Sequence, residues 1–141
     1  MESFLLEPVE RIYFGKTLLG VILRAEFKKD GIEFLTPDDF SQQLAYMNRP
    51  AGYKIAPHTH NQVHRELVST LETLFIRKGK VRVDFYSADQ HFVASREVKT
   101  GDTLLLVAGG HGFSILEDSE IIEVKQGPYA GDKDKIRFEG L

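Results

Sequence analysis

Gly52-Tyr53-Lys54-Ile55-Ala56-Pro57-His58-Thr59-His60 organises this chain, and its reach extends to Glu72 and Gly79. Pro50-Ala51-Gly52 breaks the chain, and Tyr53 to His60 reads as an extended strand. Side chains alternate along a strand, so His58 and His60 project to the same side, in step with Ala56. Eleven residues separate His60 from Glu72, and six separate Glu72 from Gly79. Glu72 keeps step with Leu74 and Ile76, an expected core stripe. A carboxylate on a core face is costly unless it is paired or bound to metal. Neutral imidazoles with a carboxylate suit a first-row transition ion. Taken alone, a His-x-His in a polar stretch also reads as solvent-exposed, and Glu72 as the ion partner of an Arg or Lys.

Outward from this stretch the chain is a series of short β-prone runs. Arg11 to Phe14 and Leu18 to Phe27 come first, and Lys28-Lys29-Asp30-Gly31 has hairpin-turn composition, with Ile32 to Leu35 as the returning strand. Thr36-Pro37-Asp38-Asp39 reads as one capped helical turn or as a plain turn. Gln42 to Arg49 reads as a strand, with a short helix from Asp38 to Met47 as the competitor. Asn61 to Val68 is polar and reads as a loop. Leu71 to Lys78, Val81 to Ser87 and His91 to Val98 are three strands, joined by Arg77-Lys78-Gly79-Lys80 and Ala88-Asp89-Gln90. Val81, Val83 and Phe85 alternate with Arg82, Asp84 and Tyr86, which places Arg82 and Tyr86 on the exterior or at an interface. Thr103 to Val107 is nearly all apolar, as a strand buried on both faces is. Ala108 to Gly112 is a glycine-rich bend. Phe113 to Leu116 and Glu120 to Gln126 form a last pair around Glu117-Asp118-Ser119. The tail from Gly127 either folds over one end of the barrel or runs free. The expectation is an all-β sandwich or barrel with little helix.

The spacing resembles the cupin family. That family's first motif is Gly, five residues, His-x-His, a short gap, Glu, six residues, Gly. Here it reads Gly52, YKIAP, His58-Thr59-His60, then Glu72, TLFIRK, Gly79, and the His60–Glu72 gap is longer than usual. The second motif runs from Gly101 to His111, with Val107 in place of the family's proline and the histidine one residue early. The resemblance covers roughly 44–126. It implies a jelly-roll β-barrel with a metal inside, held by His58, His60, Glu72 and His111. The ion would be iron, zinc, manganese, nickel or copper. Glu66 is the alternative carboxylate, since it lies nearer His60. His64 and His91 read as surface residues. Lys54 has the parity of His58, and Tyr46 and Asn48 come near the expected mouth; Lys54 and Tyr46 are the weak catalytic candidates, and a solvated lysine is the competing reading for Lys54. The resemblance reaches dioxygenases and sugar-phosphate isomerases, and also leaves open a non-catalytic binding module or a metal-stabilised structural role.

Length and composition bound these readings. The 141 residues suffice for one domain, 1–141, with a barrel core at about 18–126, an N-terminal arm at 1–10 and a tail at 127–141. A formal charge of −3 offers no electrostatic footprint for nucleic acid. No apolar run approaches a membrane span. The absence of cysteine removes disulfides and thiolates, so any metal must use N and O ligands. Glu2, Glu7 and Glu10 do not fit a signal peptide. A cytoplasmic protein with a small-molecule ligand is expected. So is a homodimer, because Leu18 to Phe27 is apolar on both faces and suits pairing with, or packing on, a second copy.

Overall fold

The computed structural model describes residues 8–141. The fold is all-β: among these residues the helical element is one short 3-10 turn, Gly131–Asp134. Strands β1 (Val9–Phe14), β2 (Thr17–Leu23), β5 (Glu72–Tyr86), β6 (Phe92–Lys99), β7 (Thr103–Leu106) and β8 (Gly110–Lys125) form one antiparallel sheet curled into a half-barrel. Its order is β1-β2-β7-β5-β6, with β8 also on β5. Strands β3 (Gly31–Phe34) and β4 (Ala45–Asn48) form a separate two-stranded sheet among the described residues. Two compact units result: the chain up to Phe27 with Thr70–Leu141, and Lys28–Ser69. Most of the expected arm at 1–10 lies outside the described residues, and Val9 and Glu10 belong to β1. No helix among the described residues is long and apolar enough to cross a membrane.

The half-barrel is built on β5. Its first part, Glu72 to Phe75, lies between β7 and β8, and its second, Lys80 to Tyr86, lies between β6 and β8. The sequence suggests a hairpin at Arg77-Lys78-Gly79-Lys80, but the strand continues through it with shifts of register against β8. The buried stripe is Leu74 and Ile76 before this point and Val81, Val83 and Phe85 after it. The change from even to odd positions is the mark of an irregularity that bends a strand instead of ending it. Gly79 has φ +102°, and a Cβ there would collide with the backbone of Asp118 and the side chain of Ser119. Only glycine lets β8 pass so close. The expected last pair of strands is likewise a single strand, β8, continuous across Glu117-Asp118-Ser119.

The concave face carries the core: Ile12, Leu19, Ile22, Leu74, Ile76, Val81, Val83, Phe85, Val98, Leu104 and Leu106. Burying each such side chain contributes about 1.5–3 kcal/mol. Gly20 lets the ring of Phe85 lie on β2, since a Cβ would stand 2.7 Å from it. As expected, β7 is buried on both faces. Strand β2 is paired on both edges, with β1 and β7, so it offers no edge to a second copy. Lys28–Gly31 joins no hairpin for the same reason, and β3 pairs forward to β4 instead. Tyr86, expected outside, is buried: Phe138 meets its ring edge-on at 5.0 Å, and its hydroxyl accepts the Leu141 N–H at 3.1 Å.

A closed polar cluster fastens the sheet beside β7. Asp102 is fully buried and accepts the backbone N–H of Ala25 at 2.9 Å and of Lys99 at 2.8 Å. Arg24 Nη1 donates to it at 3.2 Å and to the Glu97 carbonyl at 2.6 Å. Glu10 joins Arg24 at 3.6 Å and Arg96 at 2.6 Å. Strands β1, β2 and β6 are thereby tied to the turn before β7.

In the unit 28–69, Gln43 fills the loop between β3 and β4. Its amide donates to the carbonyls of Pro37 and Phe40, and its oxygen accepts from Thr36 Oγ1 at 2.7 Å. The region is a turn held by a side chain, and neither the capped helical turn nor the 38–47 helix forms.

Candidate functional site

Glu72 opens β5 on the concave stripe, in step with Leu74 and Ile76. His111 lies near the start of β8 and pairs with Phe85, thirteen residues along β5 from Glu72. In a straight strand that interval spans roughly 40 Å. The curl of the sheet closes it: His111 Nε2 stands 3.1 Å from Glu72 Oε2. The local chain accounts for both placements. Glu72 shares the inward face with core residues, and His111 shares that of its cross-strand partner Phe85. Gly109 and Gly110 let β8 begin close to β5, where a Cβ on Gly109 would strike the Tyr86 carbonyl.

Lys125 faces Glu72 directly in register, with its ammonium 3.7 Å from Glu72 Oε1. The same ammonium lies 2.9 Å from Asp134 Oδ2, and the Thr70 hydroxyl donates to the other oxygen of Asp134. Glu123 shares a hydrogen bond with Glu72. The hydrogen bond from His111 holds the Glu72 carboxyl below its ordinary value, against the opposing effect of burial. The Glu123 carboxyl is pushed up, first by that shared hydrogen bond and then by burial and by the charge on Glu72. Two carboxylates this close prefer to hold one proton between them.

The two other expected ligands lie in the unit 28–69. Every residue from 51 to 70 is exposed, and none from 53 to 70 is in a strand, so the expected strand from Tyr53 to His60 does not form. No strand ladder takes up its backbone groups; the Tyr53 N–H instead donates to the Pro50 carbonyl at 3.1 Å. His58 Nδ1 donates to the Ala56 carbonyl at 2.8 Å, and the His58 and His60 rings lie edge-on, 5.2 Å apart. Glu72 and His111 are thus together in one unit, and His58 and His60 in the other. Within each unit, no group of three or more His, Asp or Glu among the described residues has metal-holding geometry.

The remaining candidates fall as follows. Glu66 lies in the exposed loop beside His64, at 3.7 Å, and both are surface residues. Lys54 is exposed, while Tyr46 is half-buried in β4, ending two residues later at Asn48. His91 is exposed and pairs with Asp89 at 3.0 Å. Sequence reasoning missed Glu123, Lys125, Asp134 and Thr70. Ile121, Glu123 and Lys125 alternate on one face, a signal legible once β8 is read as one strand. Nothing in the sequence pointed to Thr70 or Asp134.

Compared with known proteins, the chain matches no family model, no curated protein and no solved structure.

Proposed function

We propose that this chain is a cupin-type jelly-roll protein that binds one divalent transition ion on His58, His60, Glu72 and His111. With that ion it binds, and as an enzyme transforms, a small oxygen-rich metabolite in the manner of a dioxygenase or a sugar-phosphate isomerase. The observation that supports this reading is the meeting of Glu72 and His111 across the curl of the sheet. The donors present suit such an ion, being imidazole nitrogens and one carboxylate. When bound, it would polarise the oxygens of a chelating ligand. The chain's own residues supply the rest. His111 keeps Glu72 ionised. The bond from His58 Nδ1 to the Ala56 carbonyl leaves Nε2 as its coordinating atom. Leu74 and Ile76 continue the inward face of Glu72 as buried apolar residues, and Phe85, the cross-strand partner of His111, is buried as well. The homodimer remains part of this proposal, through packing of a face and not through an edge of β2.

A second reading is favoured by Lys125. Its ammonium beside Glu72 already balances the carboxylate, as a purely structural or non-catalytic binding site would require. Elemental analysis of untagged protein separates the two. About one equivalent of metal is expected. The double variant His58→Ala/His60→Ala and the variant Glu72→Gln should each lose it while keeping the far-UV circular dichroism of the parent. Metal retained by the double variant overturns the ligand set, and metal lost in Glu66→Gln but kept in Glu72→Gln reassigns the carboxylate. Metal-free native protein favours the second reading.

A further inference from the structure

The tail is attached in an unusual way. Between Gly127 and Leu141 only Gly131, Asp134 and Phe138 are partly buried, and the other residues are exposed. Two places anchor the tail: Tyr86, which takes the ring of Phe138 and the Leu141 N–H, and the Thr70–Lys125 pair, which holds the carboxylate of Asp134. The second anchor has the form of ligand recognition. One carboxylate is held through both oxygens, by a hydroxyl on one and by an ammonium at 2.9 Å on the other. Hydrogen bonds with an ionised partner are the strong and directional kind. Lys135 adds positive charge beside it. Lys125 also faces Glu72, so whatever occupies this place lies next to the Glu72–His111 pair.

We propose that Thr70 and Lys125 form a subsite for the carboxylate or phosphate group of a small anionic ligand, and that Asp134 of the chain's own tail fills it until that ligand arrives. This deepens the reading above, on which it rests for where the remainder of the ligand lies; the subsite itself needs no metal. Glu72 does not forbid a second anion here, because Asp134 already shares Lys125 with it. A segment held at two points opens readily. The tethered Asp134 competes at an effective concentration in the millimolar range. A free ligand must therefore be abundant or make a second contact, and the neighbouring Glu72–His111 pair supplies a place for one.

The experiment uses the full chain, stripped of metal, with malonate and inorganic phosphate as probes. Trypsin has sites in the tail at Lys133, Lys135 and Arg137. Either anion at tens of millimolar should speed cleavage there several-fold, while chloride at the same ionic strength should not. By calorimetry, Asp134→Asn should bind the anion about tenfold more tightly than the parent. Asp134→Asn/Lys125→Met should lose this, as should Asp134→Asn/Thr70→Val in part, with unchanged melting as the check on folding. The probe that acts at the lower concentration names the ligand's acid group. Equal affinity in Asp134→Asn and parent, or equal effects of chloride and both probes, overturns the subsite and leaves an ordinary surface ion pair. Anion binding without any metal in the native protein retains the subsite and removes the metal reading; metal without anion binding does the reverse.

Discussion

Two acidic clusters lie at opposite ends of β7, and they are built from similar parts in different ways. Asp102 precedes the strand, and Glu72 faces Leu106 at its other end. Each carboxylate has cationic or imidazole partners. Asp102 is fully buried, however, and two of its bonds come from backbone amides. Those donors cannot leave without unfolding the turn. Every partner given above for Glu72 is a side chain: His111, Lys125 and Glu123. His111 and Lys125 are each about a third exposed, and each can turn to a ligand. A carboxylate held by backbone fastens a fold, whereas one held by movable side chains is open to exchange.

The largest test of this contrast is Asp102→Ala. It removes one of the partners of the buried Arg24 guanidinium and leaves two backbone N–H groups without their acceptor. The expected loss is about 3–5 kcal/mol, read as a large fall in the denaturation midpoint. Next comes Glu72→Gln, which keeps volume and one hydrogen-bond acceptor among partners that can rearrange. Its expected cost is about 1 kcal/mol. Similar losses for the two would break the comparison and make the Glu72 cluster a structural fastening.

Much of the sheet was legible in the sequence because its signals are local. Val81, Val83 and Phe85 alternate cleanly, and Thr103 to Leu106 has no polar face beyond its first residue, so their burial follows from composition and period. Arg77-Lys78-Gly79-Lys80 was misread because a glycine among lysines has the composition of a turn. The deciding clue is the parity change between Ile76 and Val81, which makes sense only against β8. Tyr53 to His60 has the alternation of a strand, but a strand also needs a neighbour, and pairing is not written in local sequence. The Glu72–His111 half of the candidate site was legible through motif spacing. Lys125 was not, because its role depends on register with Glu72. Thr70 and Asp134 meet across 64 residues, and no pattern announces it.

The smallest expected effect concerns acid and the tail. The Thr70 hydroxyl and then the Lys125 ammonium hold the Asp134 carboxyl below its ordinary value. A carboxyl with a depressed folded value stabilises the attached state above the value of the free group, about 3.9. That contribution declines as pH falls below this value and is gone once pH passes the folded one. Lys125, whose ammonium Asp134 holds above its ordinary value, stays protonated throughout, so what is lost is the charge of the carboxyl and not that of its partner. The core stripe from Leu74 to Phe85 does not titrate. Acid should therefore free the tail before it unfolds the sheet. Amide resonances of Thr70, Lys135 and Leu141 should shift toward unstructured positions at a higher pH than those of Val81 and Val83. In Asp134→Asn the tail resonances should lie closer to the free position already at neutral pH and show little further change over this range. If tail and sheet instead lose their native resonances together, the tail is part of the sheet's cooperative unit, and the movable character assigned to this end of β7 fails.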